Sequence, residues 1–233
     1  IKMRLDKLLA NKAFGSRKEV HQIIRDGRVT VNGAVILKKD QSIHIDDIIA
    51  VDGVQISTKQ QYYIKFHKPA GYITAVEDPT HPVVMDLLPP EFKKMGVFPV
   101  GRLDKDTEGL LLLTNDGIWA HSIINGHKHV PKVYYVEFNG KLTKDGLERI
   151  ETGIVLGDGT QCKPANIDVL SEQSLHITIE EGKYHQVKRM IGAAGGEVTY
   201  LKRLSIGHIT LKGIEAINTY SEIDDQDVVD FKK

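Results

Sequence analysis

At 233 residues with 41% hydrophobic side chains, the chain can fill a real core, as one large domain or a medium domain with a small companion. Cys162 stands alone and no apolar run is long enough to cross a bilayer, which excludes an intrachain disulfide and a helical membrane span and favours a reducing, cytoplasmic setting. Thirty-one Lys plus Arg balance thirty-one Asp plus Glu, but residues 1–39 hold ten basic side chains against three acidic ones, and from Glu215 onward six acids face two lysines. The basic end is the natural place for a polyanion, and no membrane contact is expected. Ile1 and Lys2 precede Met3, which reads as the native start.

Leu5, Leu8 and Leu9 fall at helical spacing within Met3 to Asn11, and Ser16 caps a second helix whose stripe is Val20, Ile23 and Ile24 and whose stop is Gly27. A strand from Arg28 runs into the Asn32-Gly33 turn, and Ile48 to Ile56 is a second strand bent at Asp52-Gly53. This basic unit ends near residue 57, residues 58–61 form a polar linker, and residues 62–233 make a larger domain. There the pattern predicts strands at Tyr62 to Phe66, Val97 to Leu103, Leu110 to Thr114, Lys132 to Phe138, Cys162 to Leu170, Ser174 to Glu180 and Glu197 to Leu211. It predicts helices at Val83 to Leu88, Ile118 to Asn125 capped by Asp116, Lys144 to Ile150 capped by Thr143, and His185 to Ala194. Without regular alternation of strand and helix, the fold class is α+β.

Two stretches carry chemistry. In "GRLDKDTEGLLLLTNDG", residues 101–117, Arg102, Asp104 and Asp106 border the most apolar run of the chain. A carboxylate there must be paired or functional, because desolvating it alone is costly. Spacing alone favours a loop pinned by Arg102 pairing Asp104 or Asp106, with Thr107 capping a turn. In "EEGKYHQVKRM", residues 180–190, Lys183, His185, Gln186, Lys188 and Arg189 gather at a strand-to-helix junction suited to phosphate, and Lys188 or Arg189 can serve as counter-ion to a buried carboxylate. A solvated helix face explains the same run.

The first stretch resembles the nucleophile motif of the RsuA-type pseudouridine synthases, which act on ribosomal RNA. Lys68-Pro-x-Gly71, Lys132-x-Tyr134 and Glu181 to Met190 match that family's other motifs in order, and Met3 to Gly33 is similar to an S4 RNA-binding domain. The resemblance implies an α-L-like S4 domain over residues 1–57, followed by a catalytic domain with a mixed, mainly antiparallel sheet flanked by helices. It implies Asp104 as the catalytic aspartate, Tyr134 (less well Tyr135) as the tyrosine that stacks on the target base, and Lys188 as the basic partner of the aspartate, with Arg189 next door as its competitor. It implies substrate contacts from Arg102, Lys68, Lys132, His185, Gln186 and Arg189, and RNA contacts in the S4 domain from Arg4, Arg17, Lys18, Arg25 and Arg28, weakening as salt rises. The segment "DPTHPVVMDLLP", residues 78–89, is more like the small-subunit enzymes than their large-subunit relatives.

The implied reaction moves uracil from an N1 to a C5 glycosidic link in ribosomal RNA, free or in an assembling subunit, by a monomer with no metal and no cofactor. An extruded uridine costs roughly a few kcal/mol, offset by stacking and phosphate contacts. An opposite charge beside Asp104 favours its ionised form; the carboxylate then attacks C6 or C1′, or takes a sugar proton to give a glycal. Two rivals remain: a non-catalytic ribosome-associated RNA binder, and a glycoside hydrolase using Asp104 and Asp106, whose close spacing suits a facing acid–base pair poorly. His127-x-His129 lacks supporting ligands for a metal site, and Trp119 with Ile123 reads as core.

Overall fold

Ser16 and Glu19 close a reciprocal capping box at the head of the second helix, so the basic N-terminal segment folds from locally specified pieces. The computed structural model describes residues 2–125 and 128–231. They divide into two compact units: residues up to Tyr62 together with Leu88–Val97, and Tyr63–Leu87 together with the remainder from Phe98. The segment 88–97, assigned by sequence to the larger domain, thus groups with the first unit.

In the first unit β1 (Lys2–Arg4) leads into α1 (Leu5–Asn11) and α2 (Arg17–Arg25), followed by β2 (Val29–Val31), β3 (Ala34–Val35), β4 (Ser42–His44), β5 (Ile49–Val51) and β6 (Val54–Ile56); α3 (Pro90–Lys94) joins them later in the chain. The strands form a four-stranded sheet β3-β2-β5-β6 and a pair β1-β4. Asn32-Gly33 and Asp52-Gly53 both have positive φ at each residue, as tight two-residue hairpins require. Leu5, Leu8, Leu9, Val20, Ile24, Val29, Ile43, Ile49 and Val51 make the core. Met3, expected in the first helix, lies instead in a strand paired with Ile43.

Asp6 is buried at the edge of that core. It accepts from both arms of Arg4 at 3.0 and 2.7 Å, from the Lys7 amide at 2.9 Å, and meets His21 Nε2 at 3.2 Å. The Arg4 hydrogen bond is the main reason its carboxyl is held down at about 2. A depressed carboxyl stabilises the fold above its unfolded value, 3.8, and that contribution is lost as pH falls through about 2. Asp6→Asn should cost about 1–3 kcal/mol at neutral pH. In thermal melts followed by circular dichroism from pH 6 to pH 2, the gap between wild type and variant should close toward the acid end; a pH-independent gap would refute the ion-pair account.

The second unit contains β7 (Tyr63–Lys68), a 3-10 turn (Val84–Leu87), β8 (Phe98–Val100), β9 (Glu108–Thr114), α4 (Gly117–Ile124), β10 (Lys132–Gly140), α5 (Lys144–Thr152), β11 (Asn166–Ser171), β12 (Ser174–Ile179), α6 (Gln186–Ala193), β13 (Gly196–Ile206), β14 (Ile209–Thr210), β15 (Tyr220–Glu222) and α7 (Asp225–Asp230). Its nine-stranded sheet runs β11-β12-β10-β13-β9-β7-β15, with β14 on β13 and β8 on β9. All pairings are antiparallel except β13 with β9. The α+β class and the mixed, mainly antiparallel sheet therefore stand.

Leu110 to Leu113 are fully buried, as an apolar run covered on both faces should be. One face packs Leu110 and Leu112 with Trp119, Ile123, Ile206, Ile214 and Phe231, so Trp119 is core; its indole N–H donates to the Val228 carbonyl at 3.1 Å. Several expected strands are shorter. Gly101, at φ 76°, turns the chain after Val100, and Gly207, at φ 56°, splits the predicted strand 197–211 into β13 and β14. The strand expected from Cys162 begins only at Asn166, two residues past Pro164.

Candidate active site

A row of residues crosses four neighbouring strands: Lys68 on β7 pairs with Gly109 on β9, Gly109 with Arg203 on β13, and Arg203 with Tyr134 on β10. Gly109 is obligatory there, because a Cβ would stand 2.2 Å from the Arg203 carbonyl oxygen and φ is 111°. The loop 101–107 enters β9 at one end of this row.

Lys68 fixes that loop. Its side chain is fully buried, and the ammonium donates to the carbonyls of Pro69, Asp104, Lys105 and Thr107 at 3.0, 3.1, 3.3 and 2.8 Å. Burial pushes it down to about 8, against the pull of Asp106 and Asp104. Thr74 adds a reciprocal pair with Leu103, its hydroxyl donating to the carbonyl at 2.9 Å and accepting from the amide at 3.1 Å. The sequence expectation of a substrate contact at Lys68 is corrected: a side chain without exposed surface, spent on four carbonyls, is an internal brace.

Held in this way, Asp104 meets α6. Its Oδ2 lies 3.0 Å from Lys188 Nζ and its Oδ1 3.2 Å from His185 Nε2. Lys188 also binds Asp106 Oδ1 at 2.6 Å, so one ammonium bridges two carboxylates. Burial lowers the Lys188 affinity for its proton, but the hydrogen bonds to Asp106 and Asp104 outweigh it and leave the value raised. The Lys188 bond likewise lowers Asp106. Asp104 keeps 26% of its side chain exposed, so the carboxylate is supported below and open above.

The choice between Lys188 and Arg189 is decided by geometry. Arg189 reaches away to Asp158 Oδ2 at 2.5 Å and donates to the Tyr184 carbonyl at 3.2 Å, so it anchors the loop before α6 and leaves Asp104 to Lys188. Gln186 is corrected too. It is buried, its Oε1 accepting from the Lys183 amide at 2.9 Å and its amide donating to Glu181 Oε1 at 2.7 Å, which closes the turn into α6. His185, in contrast, sits on Asp104.

The reading of Arg102 as an ion pair with Asp104 or Asp106 is not realised: Arg102 is exposed, with no ion pair among the described residues. Nor does the Thr107 hydroxyl cap a turn; it is buried and finds no hydrogen-bond partner among the described residues. Lys132 is half-buried, donates to the Val130 carbonyl at 3.1 Å, and is lowered by that burial.

Tyr134 is buried, its ring 6.0 Å from the Arg203 guanidinium carbon and its hydroxyl accepting from Arg203 Nη1 at 3.4 Å. Tyr135, on the opposite pleat, donates to Glu137 at 2.7 Å and leaves the row to Tyr134. Arg203 itself escaped the sequence reading. It is 3% exposed and donates from Nε to the Leu110 carbonyl at 2.8 Å, tying β13 to β9 beneath the tyrosine. Its parity with Leu201 along the strand was the available signal, since alternation assigns both to the inward face.

In the first unit Arg4 and Arg28 are engaged by Asp6 and Asp52, whereas Arg17, Lys18 and Arg25 are exposed and unpaired among the described residues. His127 lies outside the described residues; His129 stands 3.6 Å from Glu180. Among the described residues one group, His208, Asp227 and Asp230, brings three potential metal-ligand atoms within 4.8 Å, at the surface, but His208 Nε2 already meets the Asp227 carbonyl at 3.1 Å.

Residues 62–193 match the family of RNA pseudouridylate synthases, and residues 3–49 match the S4 domain. The uncharacterized RNA pseudouridine synthase YtzG of Bacillus subtilis is 42% identical, over 97% of each chain. Ribosomal small subunit pseudouridine synthase A of Escherichia coli is 36% identical over 97% of this chain and 98% of its own. A crystal structure of a pseudouridylate synthase superposes with a TM-score of 0.68 at 30% identity, covering 98% of this chain and 99% of the other. Full-length similarity at this level, with both modules in the same order, makes the chain a member of the RNA pseudouridine synthases that carry an N-terminal S4 RNA-binding domain.

Proposed function

We propose that this chain, as a cytoplasmic monomer, converts a defined uridine of small-subunit ribosomal RNA into pseudouridine, with Asp104 as the reactive carboxylate and Tyr134 and Lys188 as its working partners. The observation that carries the reading is a carboxylate braced from below by Lys68, through its own main chain, and flanked at 3.0 Å by Lys188 and 3.2 Å by His185. The small-subunit assignment rests on relatives that carry that name and match over nearly their full length.

The reaction breaks the N1–C1′ bond and forms a C5–C1′ bond; C5 gives up a proton and N1 gains one. Electrons are neither gained nor lost overall. Asp104 serves by attack at C6 or C1′, or by removing a sugar proton, and each route uses the same partly exposed carboxylate. Lys188 offsets the negative charge that would otherwise be enclosed with the nucleotide. The uridine, everted from the RNA, covers the open side of the carboxylate and strengthens these interactions by excluding water. Tyr134 supplies the aromatic face, while Arg102, Lys132 and the free S4 cations Arg17, Lys18 and Arg25 attract phosphate.

Transcribed small-subunit and large-subunit ribosomal RNA, each labelled with 5-tritiated uridine, test the reading. Tritium release saturating at one equivalent per small-subunit RNA is expected. Release from large-subunit RNA alone would move the substrate to the other subunit, and release from neither would overturn the proposal for free RNA, leaving an assembling subunit to be assayed.

A further inference from the structure

Tyr184 is the most exposed aromatic side chain beside the site, at 76%, yet it is held in place. Its ring lies flat on that of His185, centroids 3.9 Å apart and planes 17° from parallel. Its carbonyl accepts from Arg189, which is itself anchored on Asp158. Adjacent residues do not normally face each other on a helix. Here His185 precedes α6 in the left-handed conformation, φ 46° and ψ 38°, an unusual geometry for a non-glycine residue and one that accompanies the stack. The same histidine touches Asp104. The imidazole thus meets Asp104 at its Nε2 edge and carries the exposed phenol ring on its face.

We propose that the outer face of Tyr184 is a stacking subsite for an unpaired base of the nucleotide adjoining the target uridine. An exposed aromatic plane held by a second ring suits an unpaired base, and stacking tolerates any base because each has a π-face. The His185 ring on which Tyr184 stacks is the one that meets Asp104, which places the plane beside the target's site. The role is to hold the RNA, leaving the reacting atoms to Asp104. This inference rests on the function proposed above, and two separate measurements keep their failures apart.

The first measurement is binding of a single-stranded decauridylate by anisotropy, which needs no turnover. Tyr184→Phe and Tyr184→Trp should bind as wild type, and Tyr184→Ala roughly 5- to 150-fold more weakly. Tyr184→Leu should fail like the alanine variant, since it keeps apolar cover without a ring. The second is tritium release from 5-labelled small-subunit RNA, where Tyr184→Ala should raise KM by a similar factor with kcat within about twofold of wild type. Unchanged decauridylate affinity in Tyr184→Ala, a leucine variant equal to wild type, or a fall in kcat at constant KM would each overturn the subsite. A wild type without tritium release strikes the proposed reaction, and the binding series still decides the stack.

Discussion

Asp104→Asn should lower turnover by about four orders of magnitude or more while RNA affinity stays within about twofold. The amide keeps the shape and the position set by Lys68 but has no oxygen able to act as nucleophile or base. Lys188 remains paired with Asp106, so the variant is not left with an orphaned buried cation. Tritium release from 5-labelled small-subunit RNA measures the first quantity and filter binding the second. Wild-type release in the variant would remove Asp104 from the chemistry; lost binding with it would make the carboxylate an RNA contact instead.

Lys68→Met should be the most destabilising single change near the site. It withdraws an ammonium from four carbonyls in a place that water does not reach. Unpairing buried polar groups of this kind costs about 3–5 kcal/mol, or on the order of 6–20 °C in melting temperature for a chain of this size. The residual folded protein should also be slow, because the carbonyl of Asp104 is among those released. A calorimetric melt close to that of wild type, with activity retained, would show that the turn 68–71 and Thr74 suffice to set the loop.

What could be read from the sequence follows from how each residue does its work. Leu110 to Leu113, Trp119 and the Ser16 cap were legible because apolar runs, helical spacing and capping residues announce burial or position locally. The residues alone marked Asp104 as a carboxylate in need of a partner and offered Lys188 or Arg189 as a counter-ion, but only the resemblance joined Asp104 to Lys188, since nothing in a linear pattern tells a loop carboxylate that a lysine on α6 will meet it. Lys68 and Gln186 were misassigned for one shared reason. Polar side chains spent on the protein's own carbonyls and carboxylates look, in one dimension, the same as polar side chains turned toward a ligand. Short elements such as β15 and α7 carry too few residues for a period to appear, and they form because the body of the unit is there to receive them.

The central position of β13 has a consequence for when this protein becomes competent. Tyr134 is borne by β10 and Asp104 by the approach to β9, and the strand that joins those two halves comes from residues 196–206, far later in the chain than either. During synthesis both halves emerge before their bridge exists. A nascent polypeptide halted before Gly196 would lack the strand that sets its tyrosine and its aspartate in register, so the site is completed late, when that segment arrives.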